Sequence, residues 1–127
     1  AVAVDSGGDP ARALELRQGY VMLVRAFDRL SPLLKTTITL TMMQGLSYPE
    51  AAVVLETTEG TIAWRIHEAR KQMRVALDAA MKDPTPVRLV LEKAEKARAK
   101  GETRLPVAAP EHQTALELAL ALLAPGV

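Results

Sequence analysis

The side chains best suited to molecular recognition lie in one stretch of this sequence, from Thr58 to Arg74. The cations of the stretch are Arg65, Arg70, Lys71 and Arg74, and the carboxylate among them is Glu68. Basic side chains gathered on one helix neutralise nucleic-acid phosphates and release their counterions. The sequence shows no paired carboxylates, no nucleophile–base set and no phosphate-cradling glycine loop. We therefore predict binding rather than catalysis, with no cofactor, no metal and no small-molecule substrate.

The element that must position this stretch is a pair of helices joined by a short break. Ser47 is followed three residues later by Glu50, which is the spacing of a capping box and predicts a short helix from Tyr48 to about Leu55. A polar break follows, and Thr58 can cap a longer helix that runs from about Glu59 to Lys82. This is the layout of a helix-turn-helix, whose second helix can enter a DNA major groove.

The longer helix has one apolar face, and the opposite face should be exposed. The apolar face is formed by Ile62, Ile66, Ala69, Met73 and Leu77. At about 100° per residue, Trp64 lies roughly 200° from Ile62, near Gly60, Ala63, His67, Glu68 and Lys71. A single tryptophan on an exposed face needs a partner, because tryptophan is typical of interface anchors. It could pack on thymine methyls or sugar, or be covered by the C-terminal part of the chain or by another protein.

Other residues of the longer helix also have two possible roles. Thr61 and Arg65 lie near its start, where side chains reach base edges or phosphate. In the alternative interpretation, Thr61 caps the helix and Arg65 is a solvated surface charge. Glu68 could accept a hydrogen bond from cytosine N4 or pair with Lys71 on its own helix. The remaining cations could contact phosphates. Alternatively, they form an ordinary basic C-terminal end of the helix, where they interact favourably with the helix dipole.

Composition limits the classes of protein to which the chain can belong. Its 127 residues include 49% hydrophobic residues but only one Phe, one Trp and two Tyr, which favours an aliphatic all-α core. The absence of cysteine excludes disulfides and is compatible with a cytoplasmic protein, and we see no signal peptide or membrane span. The net charge of +1 is not the footprint of a strongly basic nucleic-acid binder. The chain opens with Ala rather than Met, which favours its being a piece of a longer protein.

We predict a small all-α bundle in three parts. Residues 1–8 are a flexible lead, residues 9–82 are the domain with the central helix-turn-helix, and residues 83–127 are a C-terminal helical extension. Asp9-Pro10 and Ser31-Pro32 each place a cap before a proline and begin a helix, with Gly45 ending the second. In the extension, helices run from Val87 to about Lys100 and from Pro110 or Glu111 to about Leu123, on either side of a proline-bearing loop over 102–109.

The stretch from about Phe27 to Leu77 resembles region 4 of the extracytoplasmic-function (ECF) sigma factors of bacterial RNA polymerase. The matching segments are Leu30-Ser31-Pro32, Gly45-Leu46-Ser47-Tyr48-Pro49-Glu50-Ala51-Ala52, Glu59-Gly60-Thr61-Ile62, Arg65-Ile66 and Ala69-Arg70. This ordered set is more specific than a bare helix-turn-helix. The resemblance implies a domain that docks on the flap of the polymerase β subunit and recognises the promoter −35 element in the major groove.

The resemblance also defines the predicted DNA-binding residues. They are Thr58, Thr61, Trp64, Arg65, Glu68, Arg70, Lys71 and Arg74. The family usually has Lys-Ser where this chain has Ala63-Trp64, and often Arg where it has Glu68, so two positive contacts are missing. The segment after about Lys82 lies outside the usual family end.

Two alternatives remain open at this point. The chain could be a sigma-like protein-interaction module, a decoy or a target of an anti-sigma factor, which the Ala63-Trp64 replacement and the near-zero net charge favour. The extension could also be a regulator that folds back over the longer helix and hides Trp64. The predicted partners are therefore promoter DNA, core RNA polymerase and, under the first alternative, an anti-sigma factor, with no membrane.

Overall fold

A computed structural model describes residues 9–80, 82–101 and 110–123, and within these ranges it is helical with no strand. The helices are α1 (Pro10–Asp28), α2 (Pro32–Ile38), α3 (Tyr48–Val54), α4 (Glu59–Ala80), α5 (Thr85–Ala99) and α6 (Pro110–Leu123), with a π-helical segment, Thr39–Met43, directly after α2. The predicted all-α fold is confirmed. The predicted lead over 1–8 and the predicted loop over 102–109 lie outside the described residues.

Each of the first two helices begins with a capping residue directly before a proline, as predicted. Asp9 Oδ1 accepts a hydrogen bond from the Ala11 backbone N–H at 3.0 Å, and Ser31 Oγ accepts one from the Leu34 N–H at 3.3 Å. Each cap satisfies a donor that has no partner inside its helix. Helix α5 begins at Thr85, two residues before the predicted Val87, because Asp83 Oδ1 accepts from the Thr85 N–H at 2.9 Å.

The second helix differs from the predicted continuous α-helix, because its last turns are π-helical. Four threonine hydroxyls bond back to carbonyls one turn earlier, among them Thr37 to Leu33 O and Thr41 to Thr37 O, both at 2.9 Å. Such bonds compete with the regular backbone ladder and bend helices. The wider turn is closed by the Gln44 N–H, which donates to Thr39 O at 3.0 Å. Gly45 then ends the segment with a φ of 73°.

The predicted helix-turn-helix is present as α3 and α4. Both bonds of the capping box form: Glu50 N–H to Ser47 Oγ at 3.2 Å and Ser47 N–H to Glu50 Oε1 at 2.9 Å. The break turns sharply at Glu56, which has a φ of 53°. Helix α4 runs from Glu59 to Ala80, two residues short of the predicted end at about Lys82.

Two apolar clusters hold these helices together. The main core takes buried side chains from α1, α2, α4, α5 and α6, so the extension packs into the same core as the helices before it. A second, smaller cluster consists of Ala51, Ala52 and Ile62, with Leu46 and Leu55 packed at its margin. Helix α4 belongs to both clusters, through Ile62 in the small one and Ile66 to Leu77 in the main one.

Helix α5 crosses α1 at very short range. The point of contact is Gly19 of α1, where a Cβ atom would lie 2.3 Å from Pro86 O and 2.7 Å from Val90 Cγ2. Only glycine allows two backbones to approach this closely. In the described part of the chain, no helix is long and apolar enough to cross a bilayer.

Candidate nucleic-acid interface

The start of α4 is held by two threonines. Thr58 Oγ1 accepts a hydrogen bond from the Thr61 backbone N–H at 3.2 Å, and the two hydroxyl oxygens are 2.9 Å apart. Thr58 therefore caps the helix as predicted, and the Thr61 hydroxyl points back to that cap. The arrangement presents the positive end of a helix of 22 residues to solvent, which is favourable for a phosphate nearby.

The two faces of α4 are as predicted from the spacing. Ile62, Ile66, Ala69, Met73 and Leu77 are all buried. On the opposite side Trp64 keeps 59% of its surface exposed, and Gly60, Ala63, His67 and Lys71 are also exposed. The described parts of α5 and α6 thus leave the indole open. The idea that the extension hides Trp64 is wrong for this structure, because α5 and α6 pack mainly against α1.

Arg65 lies on one flank of α4 and is half-buried. Its Nη1 atom is buried and has no hydrogen-bond acceptor among the described residues. A buried donor without a partner costs roughly 1–3 kcal/mol, and the cost is larger for a charged group. A phosphate or a guanine edge could accept from this atom only after the side chain has moved, because Nη1 has no accessible surface. Arg65 is therefore not a fully solvated surface charge, and its contact with DNA stays a prediction.

Glu68 is half-buried and pairs on its own helix, but not with the predicted Lys71. Its Oε1 accepts a hydrogen bond from Gln72 Nε2 at 3.2 Å, one turn along the helix. Because the Gln72 amide is neutral, it does not offset the negative charge of Glu68, and this bond does not use the second carboxylate oxygen. Glu68 can thus still accept a hydrogen bond from a base, and it repels any phosphate on that side.

The basic residues of α4 fall into two groups. Lys71 and Arg74 are exposed. Arg70 is half-buried, and its Nε donates to the backbone carbonyl of Leu122 at 2.6 Å. The structure therefore brings Arg70 to the C-terminal end of α6, and it does not present this side chain beside the other two cations.

One residue near the site was missed in the sequence. Arg29, just after α1, lines a surface groove of about 380 Å³ together with Lys71, Gln72 and Val75 of α4. Apolar residues, among them Leu30 and Ala76, also line the groove. No local signal connects Arg29 with α4, because the two meet only through packing of the bundle.

Comparison with known proteins identifies one segment of the chain. Residues 20–73 match the model of the family described as "Sigma-70, region 4". The match includes α2 and α3, the C-terminal half of α1 and the first two-thirds of α4, and it ends before α5 and α6. No curated protein and no solved structure matches the chain.

Proposed function

Because residues 20–73 form a sigma-70 region 4 domain, we propose that this chain recognises the −35 element of promoters as part of an ECF-type sigma factor. In this role it would hold core RNA polymerase through the β flap and act in the cytoplasm. Sigma-70 region 4 is a DNA-binding helix-turn-helix domain rather than a catalytic one. Such a domain acts by binding and positioning its partners, and it makes or breaks no covalent bond.

The observation that carries the proposal is the open surface at the N-terminal half of α4. Trp64 is 59% exposed although it is the only tryptophan of the chain, and the neighbouring Arg65 carries an unpaired buried nitrogen. A recognition helix in a major groove contacts base edges with the residues of its first turns. The exposed indole supports the proposal because it can pack on thymine methyls, whereas the buried nitrogen of Arg65 would meet a base only after its side chain has moved.

Each side chain of the surface then has a role. Thr61, Trp64, Arg65 and Glu68 face the base edges, where Arg65 can donate to guanine and Glu68 can accept from cytosine N4. The cap at Thr58 and the exposed cations Lys71 and Arg74 contact phosphates and fix the register of the helix on the duplex. Specificity and affinity thus come from different parts of the same helix.

The test uses the single tryptophan as its own reporter. A −35-containing duplex is titrated into the chain, and the change in Trp64 emission gives the dissociation constant. Arg65→Ala should weaken binding by about 1–3 kcal/mol, or about 5- to 150-fold, if Arg65 contacts a base. Arg12→Ala is the matched control, because Arg12 is exposed on α1 and its loss changes the net charge equally. Equal affinities for the two variants would refute the role given to Arg65.

A protein-interaction module without strong DNA binding is the second candidate. It is favoured by the outward face of α3, where Val53 and Val54 are 79% and 57% exposed. Adjacent exposed valines suit a protein partner better than a phosphate backbone. Salt separates the two functions, because DNA affinity falls steeply between 50 and 200 mM salt whereas an apolar contact barely changes. An absence of duplex binding at low salt, combined with loss of polymerase or anti-sigma binding in Val53→Asp, would select the second candidate.

A further inference from the structure

The contact between Arg70 and Leu122 joins the recognition helix to the far end of the chain. Arg70 Nε donates to Leu122 O at 2.6 Å, across 52 positions of sequence. Leu122 lies in the last turn of α6, where backbone carbonyls have no partner inside the helix. That end of a helix also carries partial negative charge, which attracts a guanidinium. Arg70 therefore serves as a cap for α6.

The contact is held in place by apolar packing rather than by the hydrogen bond alone. Leu116, Leu118 and Leu122 of α6 are buried in the main core. The core fixes the position of the α6 carbonyl, and Arg70 must bend toward it. All of α6 lies outside the segment that matches the sigma-70 family, so this capping contact joins the family domain to the extension.

The same side chain is one helical turn from cations that are free to meet a duplex. Arg70 and Arg74 lie roughly 40° apart around α4 by helix geometry. Arg74 is exposed, whereas Arg70 is half-buried and engaged. A phosphate is charged, so it is a stronger acceptor for a guanidinium than a neutral carbonyl is. Arg70 Nε carries one hydrogen and cannot donate to both acceptors, and the four hydrogens on the Nη atoms can reach a phosphate only at the end of α6, where the Nε bond holds the guanidinium.

We propose that α6 is an intramolecular inhibitor that competes with DNA phosphate for Arg70. While α6 is docked, the chain meets the duplex without Arg70; when α6 undocks, Arg70 turns outward and adds one phosphate contact. Because linkage is reciprocal, DNA binding in turn favours the undocked extension. This inference rests on the proposed function and adds a form of regulation to it.

The experiment measures the salt dependence of binding to a random-sequence duplex, so that no promoter needs to be known. Arg70→Gln and Arg74→Gln form a matched pair that removes the same charge one turn apart. Each is made in the intact chain and in a chain that carries Leu122→Ala, which removes a buried α6 side chain but keeps the backbone carbonyl. Hydrogen exchange verifies that α6 has opened and that α1 to α4 stay protected.

The inhibitor makes a distinct prediction for each chain. In the intact chain, Arg74→Gln makes the negative slope of log affinity against log salt shallower by about 0.9, and Arg70→Gln leaves the slope unchanged. With Leu122→Ala the slope steepens by about 0.9, so about 3.5-fold more affinity is lost between 50 and 200 mM salt. Adding Arg70→Gln to Leu122→Ala abolishes that gain.

The contrary outcomes are equally distinct. If Arg70→Gln makes the slope shallower in the intact chain, Arg70 already contacts phosphate while α6 is docked. In that case α6 does not act as an inhibitor, while the proposed function stands. If Arg70→Gln has no effect in either chain, Arg70 is only a structural cap and the inference is again wrong. If the predicted slopes appear, α6 inhibits phosphate binding by Arg70 whatever the outcome for promoter recognition, which is tested separately by titrating Trp64 with a −35-containing duplex. A chain that binds no duplex at any salt overturns both proposals.

Discussion

Replacing Gly19 by alanine tests how α5 of the extension is packed against α1. A Cβ at this position would lie 2.3 Å from Pro86 O and 2.7 Å from both Pro86 C and Val90 Cγ2. Two of these atoms belong to the α5 backbone, so no rotamer change can relieve the overlap. The variant Gly19→Ala should therefore push α5 away from α1.

The size of the effect is a balance of two opposing terms. Alanine favours the helix over glycine by about 1 kcal/mol, which acts to stabilise α1. Overpacking of a close contact costs about 1–3 kcal/mol, and a rigid backbone neighbour places this site near the upper end. We expect a net loss of about 2 kcal/mol. At about 4 °C for each kcal/mol in a domain of this size, the thermal midpoint should fall by about 8 °C.

Gly60→Ala supplies the control, because Gly60 is also helical but a Cβ there meets no atom within 4 Å. This variant should lose no stability and should gain less than the roughly 0.5–1 kcal/mol of a mid-helix site, because Gly60 lies in the first turn of α4. Thermal unfolding followed by circular dichroism compares the two variants with the parent chain. If Gly19→Ala melts at or above the temperature of the parent, α5 does not cross α1 at this point and the packing described above is wrong.

Three further predictions concern single groups. Tyr20→Phe should raise the free energy of unfolding by about 1 kcal/mol in a denaturant titration, because the buried Tyr20 hydroxyl has no hydrogen-bond partner among the described residues and is costly to bury; a large loss of stability would mean that the hydroxyl has a partner. Thr58→Ala should cost about 1 kcal/mol through loss of the α4 cap, and Thr58→Ser should restore it. The pKa of Glu50 is lowered by hydrogen bonds from the Ser47 N–H and Oγ–H, so its contribution to stability is present above the unfolded-state pKa of about 4.3 and is lost as the pH falls through the lowered value. Glu50→Gln should remove this part of the acid dependence, and an unchanged acid profile would show that the capping box does not form in solution.

The local features of the fold were predictable because each is encoded in neighbouring residues. The capping box at Ser47 and Glu50, the cap at Thr58 and the glycine stop at Gly45 depend on contacts within a few positions. The buried and exposed faces of α4 follow equally from the period of an α-helix. These features position Trp64 and Arg65, so the outline of the candidate interface was visible in the sequence.

What could not be predicted depends on contacts between distant segments. Nothing near Arg70 indicates that its guanidinium reaches the carbonyl of Leu122, and nothing near Gly19 indicates a helix crossing. The π-helical end of the second helix was missed for a different reason. There the threonine hydroxyls change the backbone hydrogen bonds, an effect that apolar spacing does not report.

The division of the bundle into two apolar clusters has a consequence for its motions. Helix α3 is fastened by two alanines and one isoleucine, a far smaller buried area than the main core provides. A corner attached so lightly opens at a much lower free energy than the bundle as a whole unfolds. Helix α3 can then shift against α4, whereas Trp64 and Arg65 keep their places because α4 is also held by the main core.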